Sequence, residues 1–342
     1  MRRLSLLPAI LAMVPVVLAA AAPACAQSPP QGDVLLVGNK QDHDLSIIEV
    51  ASGRTVARVP TGTGPHEVAV SPDGRWVVVA DYGAQQPGST LTVVDLEKLK
   101  DSAGGAAAVA GTVQLGEYHR PHGIAFFPDG KRLAFTSEVA RAVAIVDLEQ
   151  RAVTGAIGTD AGGSHMLAMS ADGKRIYTAN IPDASVSVLD VESGKLLGKY
   201  STGAATEGIA LSPDGRELWV GSNDEGNVRV LDAATGAELA RLEAPGVPIR
   251  TYFDPSGTRV LVPSAQSGVV RVFDAQQRTL LGSIDVGGTP IGITFSADGS
   301  RAYVARNSAG EVAEVDVAGL KVLRAIPTGT GPDAIGRSAY FD

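Results

Sequence analysis

Residues 206–243 read TEGIALSPDGRELWVGSNDEGNVRVLDAATGAELARLE. Within them TEGIALS, ELWVGS, NVRVLD and ELARLE alternate apolar and polar residues with the period of two that marks half-buried strands. Pro-Asp-Gly and Thr-Gly mark reversals, where glycine supplies the positive φ that tight turns need. The stretch therefore predicts four antiparallel strands in about 42 residues, the size of one propeller blade.

The unit repeats along the chain. The phrase at its first turn recurs as SPDG, FPDG, SADG, SPDG, DPSG and SADG, with glycines at Gly74, Gly130, Gly173, Gly215, Gly257 and Gly299, spaced 56, 43, 42, 42 and 42 residues apart. An acid ends an alternating strand at Asp95, Asp147, Asp190, Asp232, Asp274 and Asp316, 21 residues after its glycine in the first unit and 17 in the others. The first unit thus carries four extra residues around Gly83 to Ser89. Ten more follow Asp95 in the small-residue stretch Lys98 to Thr112, a loop whose segment Ser102 to Gly111 is expected to be dispensable. Upstream, VLLVGN, LSIIEV (with Glu49 in the acid position) and TVARVPTG supply three strands without the phrase, and GPDAIGRSAYF near residue 342 supplies one innermost strand. Joined, they make a seventh blade, and closing the ring removes exposed sheet edges. The expected fold is an all-β, seven-bladed propeller over residues 33–342.

RIYTANIPDASVSVLDVESGKLLGKYSTG, RAYVARN, ELWVGSN and the SPDG phrases resemble the YVTN-type seven-bladed β-propeller repeat across the whole chain after residue 32. The resemblance implies an exported propeller. Related propellers include small-molecule lactonases, a streptogramin lyase, the d1-haem domain of nitrite reductases and periplasmic proteins without settled chemistry. No single family's catalytic set matches, and a fold of this kind hosts many functions.

Arg2 and Arg3, an apolar stretch from Leu4 to Ala22 and the small-x-small triplet Ala24-Cys25-Ala26 read as a signal peptide over 1–26 with cleavage before Gln27. The competing reading is a lipidated Cys25, although the residues before it lack a large aliphatic side chain; a short linker, 27–32, precedes the fold. The expected location is the periplasm or the medium. Cleavage removes two arginines and no acid, taking the formal charge of −8 to about −10. A chain this acidic, without a lysine or arginine run, is a poor match for nucleic acid, and no later apolar run could span a bilayer. The single cysteine excludes thiolate zinc and iron–sulfur sites, so a metal would need His and carboxylate ligands. No GxSxG, P-loop, HExxH or CxxC pattern occurs.

Candidate chemistry lies eight residues before each repeat glycine, at the start of the innermost strand and the mouth of the central channel. Around the ring this slot holds His66, His122, His165, Glu207, Ile249, Ile291 and Asp333. Three of the five histidines of the chain fall in it. Near a seven-fold axis such side chains converge, and three imidazoles with a carboxylate suit zinc, copper, manganese or iron better than calcium or magnesium. Glu207 is expected to be the fourth ligand or a general base, and Asp333, which adjoins His66 across the closure, is expected as a further metal ligand. Asp81 and Asn180, seven after their glycines, are expected as partners orienting the ligands or as turn caps. His119, Arg120 and Arg250 flank the slot and could hold an anionic substrate; otherwise they form a solvated rim. His43 is expected to be exposed, and the repeated aspartates from Asp95 to Asp316 to satisfy turns. The leading functional expectation is a transition-metal site serving a hydrolase- or lyase-like reaction on a small molecule. A non-catalytic periplasmic module docking a partner protein, and a tetrapyrrole site with an axial histidine, are the alternatives. A monomer is expected.

Overall fold

The computed structural model describes residues 30–100 and 104–342. The expected signal peptide, its cleavage site and Cys25 lie outside the described residues. The described chain forms seven four-stranded antiparallel sheets, each a meander from an inner to an outer strand. Blade 5 has the strands Thr206–Leu211, Glu217–Ser222, Asn227–Asp232 and Glu238–Glu243. Blade 1 closes the ring: its inner strand, Pro332–Phe341, pairs with Gly32–Asn39, followed outward by Asp44–Glu49 and Thr55–Pro60.

The repeated phrases act at the lower face of the ring. Gly74, Gly173, Gly215 and Gly299 have φ of 76°, 71°, 73° and 68°, the left-handed region that explains why each turn ends in glycine. The serine of the phrase donates to the aspartate two residues on at Ser71, Ser170, Ser212 and Ser296, and that aspartate accepts from the backbone N–H two residues further along the same turn. The acids ending the third strands cap the following turn, as at Asp147 with the Gln150 N–H, Asp190 with Ser193, Asp274 with Gln277 and Asp316 with Gly319. Their role is structural, as their recurrence in every blade predicts.

Seven apolar clusters hold the ring together, one between each pair of neighbouring blades. Each buried Val, Leu or Ile contributes roughly 1.5–3 kcal/mol, so these interfaces dominate stability. The first cluster corrects one expectation. The extra segment after Asp95 is not a dispensable loop: Leu96–Leu99 forms a 3-10 turn, Gly105–Ala108 a short helix, and Val109–Gln114 the outer strand of blade 2. Leu96, Leu99 and Ala108 are buried in the cluster between blades 1 and 2. A Cβ on Gly105 would lie 1.8 Å from the Arg58 carbonyl oxygen, so the helix needs glycine there to reach the Thr55–Pro60 strand. Removing this stretch would expose that core.

At the upper face the innermost strands share a second irregularity. In blades 2, 3, 4, 5 and 7 the ladder between first and second strands breaks register at the slot, between Pro65 and Glu67, Pro121 and Ile124, Ser164 and Leu167, Thr206 and Ile209, and Pro290 and Ile293. In blade 6 only an isolated Pro248–Ser264 bridge precedes a two-residue strand, Tyr252–Phe253. Bulges re-aim side chains, and here they sit on the residues that line the channel mouth.

Candidate functional site at the channel mouth

The slot residues assemble as their register predicts. His66, His122 and His165 stand second in the inner strands of blades 2, 3 and 4, and their ligand atoms all lie within 4.8 Å of one another. The His122 ring packs between the other two, with centroids 4.3 Å from His66 and 3.5 Å from His165. Close approach of blades 3 and 4 is made possible by Gly123, where a Cβ would come 2.7 Å from the Leu167 nitrogen.

Two of the three histidines have carboxylate partners. His165 Nδ1 is 2.5 Å from Glu138 Oε1, and its Nε2 is 3.3 Å from Glu207 Oε1. His66 Nδ1 is 2.9 Å from Asp333 Oδ2 and also 2.9 Å from Lys40 Nζ. It can donate to the carboxylate or accept from the ammonium, and the first choice leaves its Nε2 lone pair free. Imidazoles anchored through one nitrogen by a carboxylate are the usual partners of a metal at the other nitrogen.

His122 differs from both. It is fully buried, and neither Nδ1 nor Nε2 has a hydrogen-bond partner among the described residues. Leaving a buried polar group unpaired costs about 1–3 kcal/mol. Burial, followed by the charges of His165, His66, Arg250 and Lys40, holds its pKa well below the ordinary 6.5, so the ring is neutral with a lone pair available. For His165, burial pushes the pKa down, but the bonds to Glu138 and Glu207 outweigh it and raise it above 6.5.

Below the histidines runs a buried ionic network. Arg250, 1% exposed, directs Nη2 to Glu67 Oε1 at 2.6 Å and Nη1 to Glu207 Oε1 at 3.1 Å, with Asp333 Oδ1 3.9 Å away. Asn223 donates to the other oxygen of Glu207. Burial pushes the Asp333 carboxyl up, but His66, Lys40 and Arg250 outweigh it and hold it at about 2. Glu207 is likewise lowered against its burial by His165 and Arg250. A carboxylate held so firmly in its ionised form is a weak proton acceptor, which counts against Glu207 as a general base and leaves it suited to ligating or orienting.

Other expectations are redirected. Arg250 is committed to three buried carboxylates and does not face a substrate, correcting its assignment to anion binding. Asp81 and Asn180 do not orient the histidines. Asp81 accepts from the Gly62 N–H at 3.0 Å and from Thr90 and Thr92, while Asn180 bonds Ser164, Thr178, Ser185 and Ser187. Asp81 ties the loop entering its blade to the sheet, whereas Asn180 joins hydroxyls on the first three strands of its own blade. Burial raises Asp81 to about 6 against the pull of these bonds. His119 contributes its carbonyl oxygen, which accepts from Ser137 Oγ at 2.6 Å. His43 is exposed, with Nδ1 accepting from the Gly64 N–H. Arg120 stands beside the mouth, its guanidinium 4.8 Å from the Tyr82 ring. Ile249 and Ile291 complete the slot as an apolar arc.

The sequence reading missed Lys40, Tyr82, Glu138 and Glu67. The first three occupy one register position, eight after the glycine or its equivalent, where Asn223 also stands; reading that position around the ring would have found them. Glu67 and Arg250 each follow a slot residue, at a position that is Gly123, Gly208 and Gly292 in three other blades. Two long charged side chains among glycines were the available signal.

The shape is a common one: 1732 chains of solved structures match it. One, titled Kuenenia stuttgartiensis Hydrazine Synthase, superposes with a TM-score of 0.74 over 89% of this chain and 99% of that one, at 19% identity, which speaks to fold alone. Comparison with curated protein sequences gives no match. The model of the YNCE-like beta-propeller family, in contrast, matches residues 3–339, in keeping with the YVTN-type repeat and the seven blades, and the chain belongs to that family.

Proposed function

We propose that this is an exported propeller that binds a divalent transition metal at the channel mouth through His66, His122 and His165, with Glu207 as a fourth ligand. The observation that carries the reading is His122, a neutral, wholly buried imidazole with both nitrogens unpartnered between two carboxylate-anchored histidines. A metal bond would answer the otherwise unmet cost of that burial. The 3.3 Å between His165 Nε2 and Glu207 Oε1 is close to the edge of a tetrahedron with bonds of about 2.0–2.2 Å, so both atoms can face one ion. Four carboxylates, Glu67, Glu138, Glu207 and Asp333, surround the cluster against three cations, the fully buried Arg250, the partly exposed Lys40 and Arg120 beside Tyr82. That balance favours a positive guest. Zinc, copper, manganese and iron fit this donor set; hydrolase- or lyase-like chemistry would rest on the metal activating water or polarising a carbonyl. The His122 ring, 3.5 Å from His165 and edge-on to His66 at 4.3 Å, fills the space between them and weakens the tetrapyrrole reading.

Metal content and calorimetric titration of the purified, chelator-treated protein with zinc, copper, manganese and iron test the proposal. Binding of at least one ion is expected at one per chain, and His122→Ala should lower that affinity at least about 100-fold while the protein stays folded. No uptake of any of the four, with melting unchanged in excess of each, would overturn it. Leu197, Leu239, Leu280, Leu281 and Leu323, exposed on the outermost strands of blades 4 to 7, favour a second reading in which the rim docks a partner protein.

A further inference from the structure

We infer that the upper edge of the mouth, formed by Arg120, Tyr82 and Lys40, binds the carboxylate of a small organic anion whose other end reaches the histidine cluster. The inference deepens the metal reading and rests on it for the second point of attachment, but the anion subsite is carried by different residues.

Tyr82 lies directly against the cluster, its ring 4.7 Å from His66 and 5.4 Å from His122. Two cations flank that ring, the Arg120 guanidinium at 4.8 Å and Lys40 Nζ at 5.3 Å. The cationic groups therefore stand within one aromatic ring's width of the histidines, on the side that opens to solvent. Lys40 is 33% exposed, and its contacts are His66 at 2.9 Å and Asp333 at 3.6 Å.

Arg120 is poorly satisfied. Its Nη1 reaches the Tyr82 hydroxyl at 3.4 Å and its Nη2 the Ala84 carbonyl at 3.5 Å, both long, and its Nε is buried without a partner. No carboxylate lies within ion-pair distance of it among the described residues. Glu138 is its nearest acidic influence, with Oε2 accepting from the Tyr82 hydroxyl at 3.0 Å. Arg229, Arg250, Arg278 and Arg306 also leave Nε without a partner, but each of them has a carboxylate on its terminal nitrogens.

The loop entering blade 3 fixes Arg120: its φ of 56° is the left-handed value that the chain also takes two residues before the slot at Gly64, Gly163, Ala205, Val247 and Gly331, and its N–H donates to the Gly88 carbonyl at 2.7 Å. Gly88 belongs to the extra residues between the second and third strands of blade 2, which no other blade carries. A unique insertion that pins an underpaired guanidinium beside the cluster is the observation that points to a ligand. A guanidinium presents two parallel donors that match the two oxygens of a carboxylate, and Lys40 adds a point charge. Two cations and one planar fork suit a small carboxylate better than a multiply charged phosphate.

The test is calorimetric titration of malonate, and separately of inorganic phosphate, into zinc-loaded and metal-free protein, wild type and Arg120→Gln, with zinc content measured in each. Malonate should bind the zinc-loaded wild type more tightly than the metal-free form and more tightly than phosphate. Arg120→Gln should weaken it at least tenfold with zinc content retained. Arg120→Lys, which keeps the charge and loses the fork, should lose part of the affinity and serves also if the glutamine variant does not accumulate. Zinc uptake without malonate binding, equal binding by wild type and Arg120→Gln, or preference for phosphate overturns the inference and leaves the metal reading standing. If the wild type takes up none of zinc, copper, manganese and iron, the metal reading falls, and malonate binding to metal-free protein that Arg120→Gln abolishes would then sustain the subsite by itself.

Discussion

Two register positions on the same upper loops behave in opposite ways. At the position seven after the repeat glycine, five blades perform one task with varied residues: Asn39 accepts from the Gly329 N–H, Asp81 from the Gly62 N–H, Ser137 donates to the His119 carbonyl and Ser222 to the Ala204 carbonyl, and Asn180 gathers the hydroxyls around the loop entering blade 4. Each, Asn180 by way of those hydroxyls, fastens the loop that crosses from the preceding blade. At the slot, eight before the glycine, the backbone is equally repetitive but the residues share no task, running from aspartate through three histidines and a glutamate to two isoleucines. Where a repeat protein keeps one chemistry in every copy it is building the scaffold; where it breaks the pattern on an unchanged backbone it is placing a site.

The largest effect should come from breaking the network that serves the slot. Arg250→Met leaves Glu67, Glu207 and Asp333 buried without their shared cation, and removal of one partner from such a network costs about 3–5 kcal/mol. Thermal unfolding should begin about 6–20 °C lower, at about 2–4 °C per kcal/mol for a chain of this size. Adding Glu67→Gln should restore part of the loss. An unchanged melting temperature in Arg250→Met would show that the carboxylates are solvated and that the two positions do not differ in the way described.

A smaller change of opposite sign is expected at the fastening position. Asp81 does with a charge what Asn39 and Asn180 do without one, and burial raises its pKa from 3.8 to about 6. An acid whose folded pKa is raised contributes stability that is present below the unfolded value and lost as pH rises through the folded value. Above pH 6 the wild type therefore carries a penalty of up to about 3 kcal/mol that Asp81→Asn should relieve. The variant should melt several degrees higher than wild type at pH 7.5, and the difference should vanish below about pH 4. A variant that is less stable at pH 7.5 would mean that the carboxylate is needed there as an ion.

The smallest effect belongs to the apolar arc. Ile291→Val removes one methylene, at about 0.5–1.5 kcal/mol, and should leave metal affinity within twofold of wild type. A change in affinity comparable with that of His122→Ala would show that the arc, and not only the polar residues, shapes the site.

The strand meander, blade count and closure were all legible, because the glycines and acids recur on a fixed spacing that only a ring of like units explains. The slot was legible for the same reason: once the register was known, His66, His122, His165, Glu207 and Asp333 could be placed without coordinates. What could not be read was direction. Asp81 and Asn180 lie at the upper ends of second strands, as expected, but Asp81 reaches the crossover loop and Asn180 the hydroxyls of its own blade, and the reach of Arg250 to Glu67 leaves no mark in residue spacing. Glu138 lies 27 residues before its partner His165 and in the preceding blade, a contact that depends on how tightly adjacent blades close. The stretch after Asp95 misled because alanine and glycine fit both a loop and a helix pressed against a neighbouring strand.

The closing strand carries a consequence for when the site comes into being. Arg337 and Asp33, bonded across that closure, stand 304 positions apart in sequence, and Asp333 on the same strand is the partner of His66. Pairings of such long range form late in folding, because the intervening chain must be ordered before they repay their entropy. Blades 2 to 5 can gather three histidines and a glutamate before the ring shuts, but His66 gains its orienting carboxylate, and Arg250 its third counter-charge, only when it does. If the site takes the proposed metal, tight occupancy would be reserved for molecules that have completed their circle, and an open, edge-exposed intermediate would hold it more weakly.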